Sequence, residues 1–167
     1  MKKLYIMRHG KATHNFNDYK DIERNLVPKG IERTSVIATF IKNKNIEIDA
    51  IYVSPAQRTL QTMNIIAKEL NINNIIIEPL IYNARSEFEL FDFIDNIDNE
   101  IDNVLIIGHN PTLCFFINNY IKPNIEHLPT SGTVGLSFDT SNWELIKTTK
   151  AKLEFIAFPK LINQNLE

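Results

Sequence analysis

The chain has one cysteine, Cys114, in 167 residues. No internal disulfide can form, and a reducing compartment is the default expectation. No apolar run approaches the ~18 residues that a membrane span requires. The apolar stretch Leu4–Met7, caught between the N-terminal lysines and Arg8, is too short for the core of a secretory leader. Charge of one sign is never concentrated: 18 basic residues stand against 20 acidic ones, for a net charge of −2. A general nucleic-acid binder would show a basic stripe, so that class is disfavoured, although a local basic pocket stays open. Linkers, repeats and low-complexity segments are missing as well. None of the four histidines forms a close ligand pair such as H-x-x-x-H. These absences point to a cytoplasmic protein whose partners include neither membrane nor nucleic acid, and they call for no metal or other cofactor.

What is present is a core. Hydrophobic residues make up 44% of the chain and aromatic ones 10%, enough for a packed interior and against global disorder. The length suits a single domain over residues 1–167. Apolar runs read as strands at Lys3–Met7, Asp49–Ser54, Asn74–Leu80 (ended by Pro79) and Asn103–His109. Between them, helix-period segments cover Pro28–Lys44, Ser54–Leu70 (with Ser54 as N-cap and Pro55 in first position), Ser86–Ile97 and Pro111–Ile121. The tail reads as three further strands, Thr133–Asp139, Asn142–Thr148 and Lys152–Phe158, the first two joined at Thr140–Ser141. Alternation of this kind predicts an α/β fold: a three-layer α/β/α sandwich around a mostly parallel sheet.

In such sheets ligands lie beyond the carboxyl ends of the strands. The first strand ends in Arg8-His9-Gly10, the second leads into Ser54-Pro55 with Arg58 a turn later, and the fourth ends in Gly108-His109-Asn110-Pro111. Two arginines and two histidines therefore converge on one edge, near two helix N-termini, where an anion is favoured. Arginine grips a tetrahedral oxyanion bidentately. Histidine can serve as neutral nucleophile or proton donor near pH 7. Together they could bind a phosphoryl group and take it covalently onto an imidazole nitrogen.

These same motifs, RHG, SPxxRTxQT (Ser54–Thr62) and GHNP (Gly108–Pro111), resemble those of the histidine phosphatase, or phosphoglycerate mutase-like, superfamily. DIERNLVPKG (Asp21–Gly30), LPTSGTVGLSFDTSNW (Leu128–Trp143) and EFIAFPK (Glu154–Lys160) extend the likeness towards its small SixA-type phosphohistidine phosphatases. The resemblance implies a phosphoglycerate mutase-like sandwich and a metal-independent phosphatase. It implies that His9 accepts the phosphoryl group, that Arg8, Arg58 and His109 hold its oxygens, and that Asn15 and Arg24 lie near the phosphate. Gly10 is expected where side-chain bulk would close the pocket, with its carbonyl orienting the His9 ring.

Larger members of the superfamily use an acid to protonate an alkoxide leaving group. The candidates here are Glu78, Glu87 and Glu89; Glu87 is the best placed, although a plain helix N-terminal charge is its stronger reading. A departing imidazole needs little acid assistance. The short chain also leaves little material to roof the site. Both features favour phosphohistidine on a partner protein, a histidine phosphotransfer or phosphotransfer-system component, as substrate. The rival readings are a small-molecule phosphomonoesterase, a non-catalytic phosphohistidine-binding module and a metal-dependent hydrolase. His127, just before LPTSG, could approach the site through Leu128–Thr130, whereas Cys114 reads as a buried structural thiol.

Overall fold

A computed structural model describes residues 1–14 and 20–164. Six strands form one sheet: β1 (Lys2–Arg8), β2 (Ala50–Val53), β3 (Ile75–Ile77), β4 (Asn103–Gly108), β5 (Thr133–Phe138) and β6 (Ala151–Ala157), in the order β3-β2-β4-β1-β5-β6. β1 to β4 run parallel, and β5 is antiparallel to both β1 and β6. The helices are α1 (Pro28–Asn43), α2 (Gln57–Leu70), α3 (Pro79–Asn83), α4 (Glu87–Asp95), α5 (Thr112–Asn118) and α6 (Pro159–Gln164).

The period-two geometry of a strand divides the apolar runs between two cores. Leu4, Ile6, Val104 and Ile106 pack with Leu90, Phe91, Leu113 and Phe116 from α4 and α5. Tyr5, Met7, Leu105 and Ile107 pack with Ile37, Ile41, Met63 and Ile66 from α1 and α2. Each such burial is worth about 1.5–3 kcal/mol, and both faces of the sheet are covered, as the continuous apolar strands require. The expected α/β/α sandwich is therefore what forms.

Three local expectations change. Ser54 does not cap α2. Its hydroxyl lies 2.7 Å from His109 Nε2, its carbonyl accepts from Thr59 Oγ1 at 2.8 Å, and the helix begins only after an extended Ala56. The strand expected at Asn142–Thr148 is a single 3-10 turn, Trp143–Leu145. Trp143 and Ile146 are fully buried while Leu145 is 44% exposed, so the operative spacing is three, not two. Pro79 does not merely end β3 but opens α3, whose first turn is capped by Glu78 Oε1 accepting from Leu80 N at 2.9 Å. That short helix carries Tyr82 to the sheet edge.

Candidate active site

β1 and β4 are neighbours in register from Lys3↔Asn103 to Arg8↔Gly108. β1 feeds α1 on one face and β4 feeds α5 on the other, so a crevice opens where the two chains part. His9 N donates to Gly108 O at 3.1 Å, and the rings of His9 and His109 stand with centroids 5.2 Å apart, tilted by 53°.

The His9 Nδ1 donates to Gly10 O at 2.7 Å. A carbonyl can only accept, so the proton sits on Nδ1 and the lone pair on Nε2. Burial, followed by the positive fields of Arg58, Arg8 and Arg24, outweighs the Gly10 bond and lowers the His9 pKa to about 4. The ring is neutral at pH 7. The Gly10 N–H donates to Thr62 Oγ1 at 2.9 Å, and Ser131 N lies 3.1 Å from both Arg8 O and His9 O, so the backbone around His9 is clamped on two sides. A Cβ on Gly10 would come within 2.8 Å of Thr34 Oγ1 and 3.1 Å of Gly30 O. The need for glycine thus lies in close approach to α1; pocket room, the reason expected from the sequence, is not what the contact shows.

Arg58, only 5% exposed, is held by one residue. Nη1 donates to Asp21 O at 2.6 Å and Nη2 to Asp21 Oδ2 at 2.9 Å. This occupies the outer edge of the guanidinium and leaves the Nε–Nη2 edge towards His109. There Nη2 lies 3.3 Å from His109 Nδ1, and the buried Nε has no acceptor among the described residues. Asp21 also accepts from Arg24 Nη1 at 2.9 Å and Tyr82 Oη at 3.0 Å. Burial pulls the Asp21 carboxyl up, but its bonds from Arg24, Arg58 and Tyr82 outweigh that and hold it at about 2. Arg24 is further fixed by Nε donating to Thr13 O at 2.6 Å. It therefore reaches the site through Asp21.

Because Arg58 can only donate, His109 Nδ1 accepts, and His109 Nε2–H donates to Ser54 Oγ. Burial, then the fields of His9 and Arg58, lower the His109 pKa to about 3 against a raising pull from Asp21. The Tyr82 ring meets His109 edge-on at 5.4 Å. On the far side, Arg8 Nη1 donates to His127 Nε2 at 2.9 Å and to Leu128 O at 3.0 Å, and Asn110 Nδ2 donates to the same carbonyl at 2.9 Å. The Nε of Arg8, like that of Arg58, is buried without an acceptor among the described residues.

The structure therefore brings Arg8, His9, Gly10, Arg58 and His109 together, with Arg24 one residue removed. Asn15 lies outside the described residues. Glu87 occupies the first turn of α4, partly buried, with no hydrogen-bond or ion-pair partner among the described residues. Glu78 is engaged as a helix cap, and Glu89 accepts from Arg85 N at 3.3 Å. Sequence reasoning missed Asp21, Tyr82 and Ser54 as members of the site. Asp21 headed the DIERNLVPKG stretch but carried no role there, Tyr82 reaches the site only through the fold, and Ser54 stood in the SPxxRTxQT motif but reads there as a cap. Among the described residues no three His, Cys, Asp or Glu side chains gather as a metal site would require.

Paired arginines around a neutral imidazole, whose Nε2 has no partner among the described residues, make the carboxyl edge of this α/β sheet chemically suited to a tetrahedral anion. Residues 4–82 match the model of the histidine phosphatase superfamily (branch 1). The chain is 24% identical over 151 residues to the phosphohistidine phosphatase SixA of Escherichia coli (strain K12), covering 86% of this chain and 92% of that one. It is 27% identical over 82 residues to a 2,3-bisphosphoglycerate-dependent phosphoglycerate mutase of Elusimicrobium minutum (strain Pei191), covering 47% of this chain and 32% of the mutase. Its fold superposes on the protein histidine phosphatase SixA complexed with tungstate with a TM-score of 0.79 at 21% identity, covering 99% of each chain. The chain is thus similar to the histidine phosphatase superfamily over residues 4–82 and shares the fold of SixA over nearly its whole length.

Proposed function

We propose that this protein is a phosphatase that takes a phosphoryl group onto His9 Nε2 and hydrolyses it, without a metal, and that its substrate is phosphohistidine on a partner protein in the cytoplasm. The observation that carries the reading is the His9 Nδ1–H bond to Gly10 O, which leaves an unprotonated Nε2 in a site whose two arginines keep buried Nε–H donors without acceptors among the described residues. Phosphoryl oxygens are the acceptors that such a fork fits. The Nε2 lone pair attacks phosphorus and the bond to the substrate imidazole nitrogen breaks; that nitrogen takes a proton from water. Water then attacks the phosphoryl-His9, releasing inorganic phosphate and restoring His9. Arg8 and Arg58 would balance the charge of the loose transition state, with neutral His109 set beside Arg58.

Support for phosphohistidine over a phosphomonoester comes from two of the three candidate acids: Glu78 and Glu89 already accept backbone N–H groups, which leaves Glu87 alone to serve an alkoxide. An imidazole leaving group does without such an acid. The similarity to a phosphohistidine phosphatase over 92% of that relative's length points the same way. The test is phosphate release, in EDTA, from a histidine-phosphorylated protein beside a simple phosphomonoester. Release from the protein with little ester cleavage is expected. The reverse preference would assign the chain to small-molecule phosphatases, and Glu87→Gln would then be expected to remove the ester activity. Stable capture of the phosphoprotein without release would make the chain a binding module, and loss of turnover in EDTA would make it a metal-dependent hydrolase.

A further inference from the structure

Beside the site, on the same edge of the sheet, a cavity of about 230 Å³ opens between the Pro129–Thr130 segment, the end of β6 and α6. The register places it: Met7 pairs with Thr133, and Thr133 with Ala157, so Phe158 leaves the sheet level with Arg8 and two strands away. At ~4.8 Å per strand, that is about 10 Å from the β1 exit that carries His9. The walls are apolar, formed by Pro129, Phe158, Pro159 and Leu161, the last 52% exposed. Arg33 of α1 and Lys160 of α6 line it too, and neither has a hydrogen-bond or ion-pair partner among the described residues. Lys29, exposed and one helical turn before Arg33, adds a cation to the same face of α1. The whole chain carries a net charge of −2, so this positive rim is a local feature.

A cavity larger than the roughly 150 Å³ that accepts a benzene ring can seat one apolar side chain. We infer that the cavity and its rim form a docking site for an acidic segment of the phosphorylated partner protein, with one apolar side chain in the cavity and carboxylates on Arg33 and Lys160. This rests on the protein-phosphohistidine reading above. The ~10 Å offset corresponds to about three residues of extended chain or about two turns of helix from the phosphorylated histidine. The site would select among phosphoproteins while contributing nothing to cleavage of the P–N bond.

The test uses the full chain and three chemically phosphorylated substrates. These are free phosphohistidine, a peptide with phosphohistidine three residues from a leucine flanked by glutamates, and the same peptide with serines in place of leucine and glutamates. The wild type is expected to show a KM about tenfold lower for the acidic peptide than for the serine peptide, with similar kcat. The R33E/K160E variant is expected to lose that preference while turning over free phosphohistidine as the wild type does. Equal KM values for the two peptides in the wild type overturn the docking site and leave the hydrolase reading intact. So does a variant that loses free-phosphohistidine turnover in the same proportion. Failure of the wild type on all three substrates overturns the reading on which the docking site rests.

Discussion

At the scale of single residues, protonation decides what the site can do. His9 and His109 are buried as neutral rings, with pKa values of about 4 and about 3 against an ordinary value near 6.5. Between those values and pH 6.5 the unfolded chain binds protons that the folded one refuses. Stability is therefore undiminished by these rings above about pH 6.5 and falls as the pH drops towards 4. Melting temperatures measured from pH 7.5 to 4.5 are expected to decline below pH 6.5, less steeply in His109→Gln. His9→Ala is expected to abolish the acid-labile phosphoenzyme seen by rapid quench and to lower kcat by at least about 1,000-fold. Normal turnover in that variant would end the proposed mechanism. Asp21→Asn should loosen the fork of Arg58, raising KM and lowering kcat/KM about tenfold; unchanged kinetics would mean that Arg58 is positioned by its own packing.

At the scale of elements, the short motifs earn their spacing through backbone contacts. In α2, Thr59 ties back to Ser54 O and Ala56 O, Gln61 accepts from Leu26 N at 2.7 Å, and Thr62 accepts from Gly10 N. The helix that carries Arg58 is thus bolted to the loop that carries His9. α1 meets the same loop at Gly30, where a Cβ would stand 2.1 Å from Lys11 O. That neighbour is backbone and cannot swing away. Gly30→Ala is expected to cost at least about 1–3 kcal/mol in chemical denaturation and to displace the loop after His9. A fully stable variant would show that α1 can shift without cost. The motifs RHG and SPxxRTxQT were legible because their residues are close in sequence and their chemistry is unusual. The roles of Asp21 and Tyr82 were not, because an acid and a tyrosine 61 positions apart carry no sign of a shared arginine until the sheet brings them together.

At the scale of the whole molecule, function and stability sit at opposite ends of the sheet. The carboxyl edge holds the arginines and histidines. At the other edge, fully buried Lys2 donates to Asn99 O at 2.6 Å, Ile101 O at 3.0 Å and Asp102 Oδ1 at 2.7 Å, and its ammonium lies 5.4 Å from the Trp143 ring. Trp143 in turn donates from Nε1 to Ile101 O at 2.9 Å. Trp143→Ala should cost about 3–5 kcal/mol, lowering the melting temperature while leaving kcat per folded molecule near that of the wild type. A selective loss of kcat would show that the two ends are coupled.

The sequence by itself determined the class of fold and the meeting of Arg8, His9, Arg58 and His109 at one edge, since continuous apolar strands need a sheet covered on both faces and strand ends expose whatever follows them. It also suggested the carbonyl of Gly10 as the orienting partner of His9, which the 2.7 Å bond matches. Only the tertiary structure decided how the site is held. The Asp21 lock on Arg58, the Ser54 partner of His109 and the turn at Trp143 each join residues from 26 to 55 positions apart or depend on which core a ring enters, whereas His127 approaches the site as its place before LPTSG allowed. Local pattern is blind to such pairings, because their energy exists only once the chain has closed the loops between them.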